Sequence, residues 1–213
     1  MKDIAIILGI RPDVIRASKI LKLLESSNNL TYDFIWSGQH YSENMKDVFF
    51  EQLNVPKPNV EFEIEKGNDA AIVSSVIKNI YNHLEKNKYK AVIFLGDTNT
   101  VMGSIAVAQH NIPIVHIEGC MRSYDWRMPE EKYRTTIDHL SDRIYAYLDE
   151  YKNQGLKEGI SEQIIKVTGN PIVDIINENK NLFESGDQFL SQEISKLIEK
   201  DDFLLATVHR REN

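Results

Sequence analysis

The sequence has a single cysteine, no long apolar run and no excess of positive charge, and each shortage removes a class of protein. A lone Cys120 excludes an intramolecular disulfide and a multi-cysteine zinc site, and leaves a small residue in a glycine-containing loop. No apolar run reaches the length that crosses a bilayer, and Met1-Lys2-Asp3 leads directly into a strand-like run without the parts of a secretory signal. A cytoplasmic protein without a membrane partner is therefore expected. A formal charge of −7 gives no cationic face for nucleic acid. A small phosphorylated ligand asks for less, namely a few arginines and helix N-termini brought to one place. Neither a Walker A loop nor a G-x-G-x-x-G turn occurs, so nothing argues for ATP or NAD. What is present is an ordinary globular composition, and 213 residues suffice for one large domain and the beginning of another.

Strand and helix signals alternate along the chain. Ile4–Gly9 is a continuous apolar run ending in glycine, and Pro12-Asp13 opens a helical pattern with Val14, Ile15, Ile20, Leu21 and Leu24 near one face. Tyr32–Ser37 reads as the next strand, followed by Gly38-Gln39-His40 and a helix carrying Met45, Val48, Phe49 and Leu53. Val60–Ile64 alternates like an edge strand, and Asp69–Lys86 has helical spacing. Ala91–Leu95 is the clearest buried strand, with Thr98 placed to cap the helix after it. Pro113–Ile117, Ile144–Leu148 and Ile164–Val167 are further strands, and Pro129-Glu130-Glu131 has the proline-first, acidic look of a helix start. Helical patterns over Ile172–Asn179 and Phe189–Ile198 lead to a strand from Phe203 to Val208. This alternation predicts an α/β, Rossmann-like fold, a parallel sheet with helices on both faces. Ligands of such sheets sit at the carboxyl ends of the strands, at a switch point.

The unusual polar residues fall at those strand ends: Arg11, Gln39, His40, Asp97, Glu118, Asn170 and His209. Arg11, beside the amides of the first helix, suits a phosphate or carboxylate, although taken alone it reads as a solvated loop arginine. Asp97 and Glu118 end successive strands. Two acids facing one crevice raise each other's pKa toward the range of a general base, and Glu130 and Arg134, one helical turn apart, add to the same region. The six histidines form no ligand cluster, so no metal site is expected. His116 reads as a satisfied core residue, whereas His209, followed by Arg210-Arg211, suits a departing diphosphate.

Eight elements in register give these residues a family resemblance. Gly9-x-Arg11-Pro12-Asp13, Ser37-Gly38-Gln39-His40, Gly96-Asp97-Thr98-x-Thr100, His116-Ile117-Glu118-Gly119 with Arg122-Ser123, Met128-Pro129-Glu130-Glu131-x-x-Arg134, Asp138-His139-Leu140-Ser141-Asp142, Thr168-Gly169-Asn170-Pro171-x-x-Asp174 and Thr207-x-His209-Arg210-Arg211-Glu212-Asn213 follow in order. Together they resemble the non-hydrolysing UDP-N-acetylglucosamine 2-epimerases. The resemblance implies the N-terminal half of a GT-B fold, with residues 1–175 as the first domain and 176–213 as connecting helices and the first strand of a second. It implies inversion of C2 in a UDP-sugar by elimination and re-addition of UDP, for surface polysaccharide synthesis, with no cofactor or metal, in a homodimer. Asp97, Glu118, Glu130 and His209 become the catalytic candidates. Arg11, Arg16, Arg134, Asn170 and Arg211 become substrate ligands, and Gln39 and His40 a possible regulatory nucleotide-sugar site.

Departures from the family pattern fall at Ile10, Arg16, Gly119-Cys120-Met121 and Tyr133. They keep open a related 2-epimerase acting on a UDP-diacetamido-uronate. A GT-B glycosyltransferase and a hydrolysing epimerase are the other enzymatic alternatives. The chain by itself, lacking half of a cleft, is expected to have little turnover or to be an inactive domain.

Overall fold

The computed structural model describes residues 1–38, 50–51, 53–65, 67–181, 190–200, 202 and 204–207. The chain divides into two compact units, Met1–Ile172 and Val173–Asn213. The first contains β1 (Lys2–Leu8), α1 (Arg11–Ser26), β2 (Tyr32–Trp36), β3 (Val60–Glu61), α2 (Asp69–Lys86), β4 (Tyr89–Leu95), a short 3₁₀ turn (Asn99–Gly103) running into α3 (Ser104–Gln109), β5 (Ile114–Ile117), α4 (Pro129–Leu140), β6 (Arg143–Ala146), α5 (Asp149–Lys157) and β7 (Ile165–Val167). The seven strands among the described residues lie in one sheet, ordered β3-β2-β1-β4-β5-β6-β7, and every described pairing is parallel.

The apolar strand runs are continuous because both faces are covered. Successive residues of a strand point to opposite faces. Ala5, Ile7, Val92, Phe94 and Ile114 therefore pack with Val76, Ile80 and Leu84 of α2 and Ile137 of α4. Ile6, Leu8, Phe34, Leu95 and Ile117 pack with Val14, Ala17 and Leu21 of α1. A smaller cluster of Cys120, Ile144, Ala146, Ile160 and Ile165 lies beneath Tyr151 and Leu156 of α5. The chain builds outward from β1 to β3 and then returns to β4 on the other side. Connections after β1 and β4 consequently leave on opposite faces, and a crevice opens between their carboxyl ends.

Most predicted elements are present within a residue or two of their expected bounds, and four expectations change. Thr98 stands before the 3₁₀ turn but makes no capping bond, and its hydroxyl is buried without a partner. The strand-like alternation from Val60 to Ile64 pairs only over Val60–Glu61. Helix α5 has no counterpart in the sequence reading, because the polar, glycine-containing run DEYKNQGLK offers no apolar stripe. In the second unit, Leu204–Thr207 pair with no strand among the described residues, and Leu204 is fully exposed. A strand exists only where a neighbour takes up its N–H and C=O groups. That unit also holds α7 (Gln192–Lys200), and α6 (Pro171–Glu178) crosses the boundary between the two. Among the described residues no helix is long and apolar enough to cross a membrane.

Candidate active site

The first turn of α1 and the carboxyl ends of β4 and β5 deliver Asp13, Asp97 and Glu118 to the crevice. Gly96, at φ +78°, turns the chain out of β4, and a Cβ there would lie 3.0 Å from Arg16 Nη2. Glu118, with φ +75°, occupies the left-handed region without being glycine, as do Cys120 and Tyr124 just after it. Such a conformation costs about 1–3 kcal/mol and persists only where its surroundings hold it, which is common at functional sites. Here the Glu118 and Gly119 amides both donate to Tyr145 O of β6, at 3.0 and 3.2 Å.

Arginines from two helices meet these acids. Arg16 of α1 bonds Asp13 Oδ1 at 2.8 Å through one guanidinium nitrogen and Glu118 Oε2 through the other. Arg134 of α4 bonds Asp97 Oδ2 at 2.6 Å and approaches Glu131 Oε2 at 3.4 Å. Burial pushes the Glu118 carboxyl up; Arg16 opposes this, the Asp97 charge adds to it, and the net direction is upward. Burial also pushes Asp13 up to about 6, against the pull of Arg16 and of the Gly9 and Ile10 amides. Glu131 moves the other way: burial raises it, but the amides of Ser123 and Tyr124 and the Ser123 hydroxyl, all donating to it, hold it below the usual carboxylate range.

The expected site residues are thus brought together in part. Glu118 with Arg16 and Asp97 with Arg134 form two ion pairs, the Asp97 charge acting on Glu118, with half-buried Arg11 at the first position of α1. Asp13 Oδ2 accepts from the amides of Gly9 and Ile10 at 3.2 Å, so these two donors are already occupied by a carboxylate of the protein. Arg134 Nε donates to the Glu130 backbone carbonyl at 3.3 Å, while its guanidinium approaches the Glu131 carboxylate. Both acids lie about one turn from Arg134, and only the rotation of α4 against the sheet chooses between them. Asn170 is exposed beyond edge strand β7, two strands from β5, with its Oδ1 accepting from Ile172 N at 3.0 Å. Gln39, His40, His209 and Arg211 lie outside the described residues.

A second buried network, which the sequence reading did not assemble, stands directly behind these ion pairs. Fully buried His116 bonds Asp138 Oδ1 at 2.7 Å and the Gly96 carbonyl at 2.8 Å. Asp138 Oδ2 accepts from the Cys120 amide at 2.9 Å and from Arg122 at 2.7 Å, and Arg122 forks onto both oxygens of Glu158 at 2.8 and 2.6 Å. The Cys120 thiol itself is buried, and burial first of all pushes it up to about 12, which makes it inert. Gly119 threads between these groups: a Cβ there would lie 2.3 Å from Ile144 Cγ2 and 2.7 Å from Asp138 Oδ1. Gly119→Ala is expected to destabilise the domain by about 1–3 kcal/mol, as overpacking of rigid surroundings does. Thermal unfolding tests this, and an unchanged midpoint would contradict the close packing.

A parallel sheet with carboxylate–arginine pairs at its switch point makes this unit a Rossmann-like domain, and the solved epimerases it resembles give it the place of the N-terminal half of a GT-B fold. The chain belongs to the UDP-N-acetylglucosamine 2-epimerase family, whose sequence profile matches residues 22–213. It is 39% identical over 211 residues to the UDP-N-acetylglucosamine 2-epimerase of Methanocaldococcus jannaschii, covering 99% of this chain and 57% of that protein. It is 34% identical to the UDP-2,3-diacetamido-2,3-dideoxy-D-glucuronate 2-epimerase of Pseudomonas aeruginosa, over 97% of this chain and 57% of that one. The M. jannaschii enzyme solved with UDP-GlcNAc and UDP superposes with a TM-score of 0.81 at 36% identity, covering 92% of this chain and 53% of that structure. The chain therefore spans little more than half the length of the curated relatives it matches.

Proposed function

We propose that the full-length protein inverts C2 of a UDP-N-acetylhexosamine, converting UDP-N-acetylglucosamine to UDP-N-acetylmannosamine by elimination and re-addition of UDP. The observation that supports this most directly is the pair of carboxylates on adjacent strand ends, Asp97 and Glu118, each held by an arginine at the switch point. One carboxylate takes the C2 proton while the C1–O bond breaks toward the diphosphate, and C1 and C2 share the new double bond of a 2-acetamidoglucal. Protonation of C2 from the opposite face, with return of UDP to C1, completes the exchange with no net redox change. Glu118, whose carboxyl burial raises above its ordinary value against the pull of Arg16, suits the base. An arriving diphosphate competes for Arg16 and so releases Glu118 for that role. Arg11 and Arg134 help bind the substrate, as Asn170 does by family resemblance; by the same resemblance His209 and Arg211 stabilise the departing diphosphate, and Glu130 remains a third acid candidate. The same resemblance supports a non-hydrolysing enzyme, a homodimer, a role in surface polysaccharide synthesis and a regulatory site at Gln39 and His40. It also supports residues 1–175 as the first domain, with 176–213 leading into a second that completes the cleft, so the 213-residue chain alone turns over little.

Incubating the full-length protein with UDP-N-acetylglucosamine in D₂O without an acceptor tests the reading. Both epimers should appear, each carrying deuterium at C2. Release of free sugar with UDP would point to a hydrolysing enzyme, and an unchanged donor would favour a transferase. The Pseudomonas relative supports a second reading, a UDP-diacetamido-uronate substrate. Parallel assays with the two sugars decide between them by kcat/KM.

A further inference from the structure

Both ring nitrogens of His116 face acceptors. Nε2 lies 2.8 Å from the Gly96 carbonyl oxygen, which can only accept, and Nδ1 lies 2.7 Å from Asp138 Oδ1. The other carboxylate oxygen of Asp138 already accepts from Cys120 N and Arg122. A neutral imidazole donates from one nitrogen only, so satisfying both contacts needs one more proton, placed between His116 and Asp138. With the Arg122 guanidinium fixed on the same carboxylate at 2.7 Å, that proton belongs on the imidazole.

The placement of these bonds has a consequence for the cleft. The Gly96 carbonyl is one residue before Asp97, and the Cys120 amide is two residues after Glu118. We propose that His116 is a positioning residue, held as a doubly protonated imidazolium, which ties the turn after β4 to the turn after β5 through Asp138 and thereby sets the spacing of the Asp97 and Glu118 carboxylates. The charged groups around it are Asp138 on α4, Arg122 in the loop after β5, Glu118 at the end of β5 and, through Arg122, Glu158 after α5. Burial opposes the charge on His116, Asp138 outweighs it, and the net direction is upward. His116 touches no reacting atom in this scheme. The kinetic part of the proposal rests on the epimerase reading above; the charge state does not.

Two measurements on the full-length protein test it. In ¹⁵N-histidine-labelled protein, the ring resonances absent from His116→Gln should show both nitrogens protonated at neutral pH and beyond the range where ordinary histidines titrate; a neutral tautomer at pH 7 overturns the proposal. In C2 exchange, folded His116→Ala should lose about 100-fold in kcat with little change in KM, as a misplaced reacting group does. Added imidazole should restore part of that loss, more on the acid side of neutrality, where it is a cation. A folded His116→Ala with full kcat also overturns the proposal. If His116→Ala does not fold, the nitrogen resonances still decide. Absence of exchange in the wild-type protein would count against the epimerase reading and leave the resonance test standing.

Discussion

On the proposed reading, Glu118→Gln in the full-length protein is expected to slow exchange of the sugar C2 hydrogen with solvent by about 10²–10⁴-fold, the range a positioned general base contributes. The substitution keeps an oxygen that can accept from Arg16 but removes the negative charge and with it the capacity to take up a proton. Asp97→Asn does the same beside Arg134, and a similar loss is expected if it serves the opposite face. Neither change should disturb folding much, because both carboxylates reach the cleft: their side chains are 12% and 23% exposed, against 0% for Asp138. The check is deuterium uptake at C2, read together with thermal unfolding. Undiminished uptake in both variants removes these acids from the chemistry.

Asp138→Asn is expected to cost about 3–5 kcal/mol of stability, the penalty for breaking a buried ion pair and leaving charge without a partner. Asp138 joins His116, Arg122 and the Cys120 amide at a site without solvent contact. Urea unfolding of the chain, followed by the fluorescence of Trp36, which is 2% exposed, reports on the domain that contains it. The pH dependence carries a definite sign. Burial lowers the His116 pKa and Asp138 raises it, with a net rise above its ordinary 6.5. Its contribution is complete below 6.5 and is lost as pH rises through the folded value. Burial raises the Asp138 pKa, while His116 and Arg122 hold it below its ordinary 3.8. Its contribution is present above 3.8 and is lost as pH falls through the folded value. Stability from the pair therefore has an acid and an alkaline limb, and Asp138→Asn should flatten both. A loss below about 1 kcal/mol, the scale of an exposed pair, would show that the network is not a buried one energetically.

Much of this arrangement was legible before any coordinates. Runs such as Ile4–Gly9 and Ala91–Leu95 can be satisfied only in a sheet covered on both faces, and the helical stripes between them supply the cover. Asp97 and Glu118 follow such runs at once, so their place at strand ends was fixed by local order. His116 within an apolar strand was readable as a satisfied core residue, and both of its nitrogens are bonded. Asp13 is not legible as a site acid, because an acid in the first turn of a helix has an ordinary explanation in the helix dipole. Spacing along α4 does not single out Glu131 as the Arg134 partner, because Glu130 and Glu131 both lie about one turn away.

The sequence by itself determined the alternation of strands and helices, the family, and which polar residues stand at strand ends, because each follows from the period of an apolar pattern or from short motifs. Tertiary structure alone decided the partners: Arg16 with Glu118, 102 positions apart, Arg134 with Asp97 and Glu131, and His116 with Asp138. Periodicity is a property of neighbouring residues. Which charge meets which across the crevice depends instead on the order in which strands join the sheet and on how each helix is rotated against it.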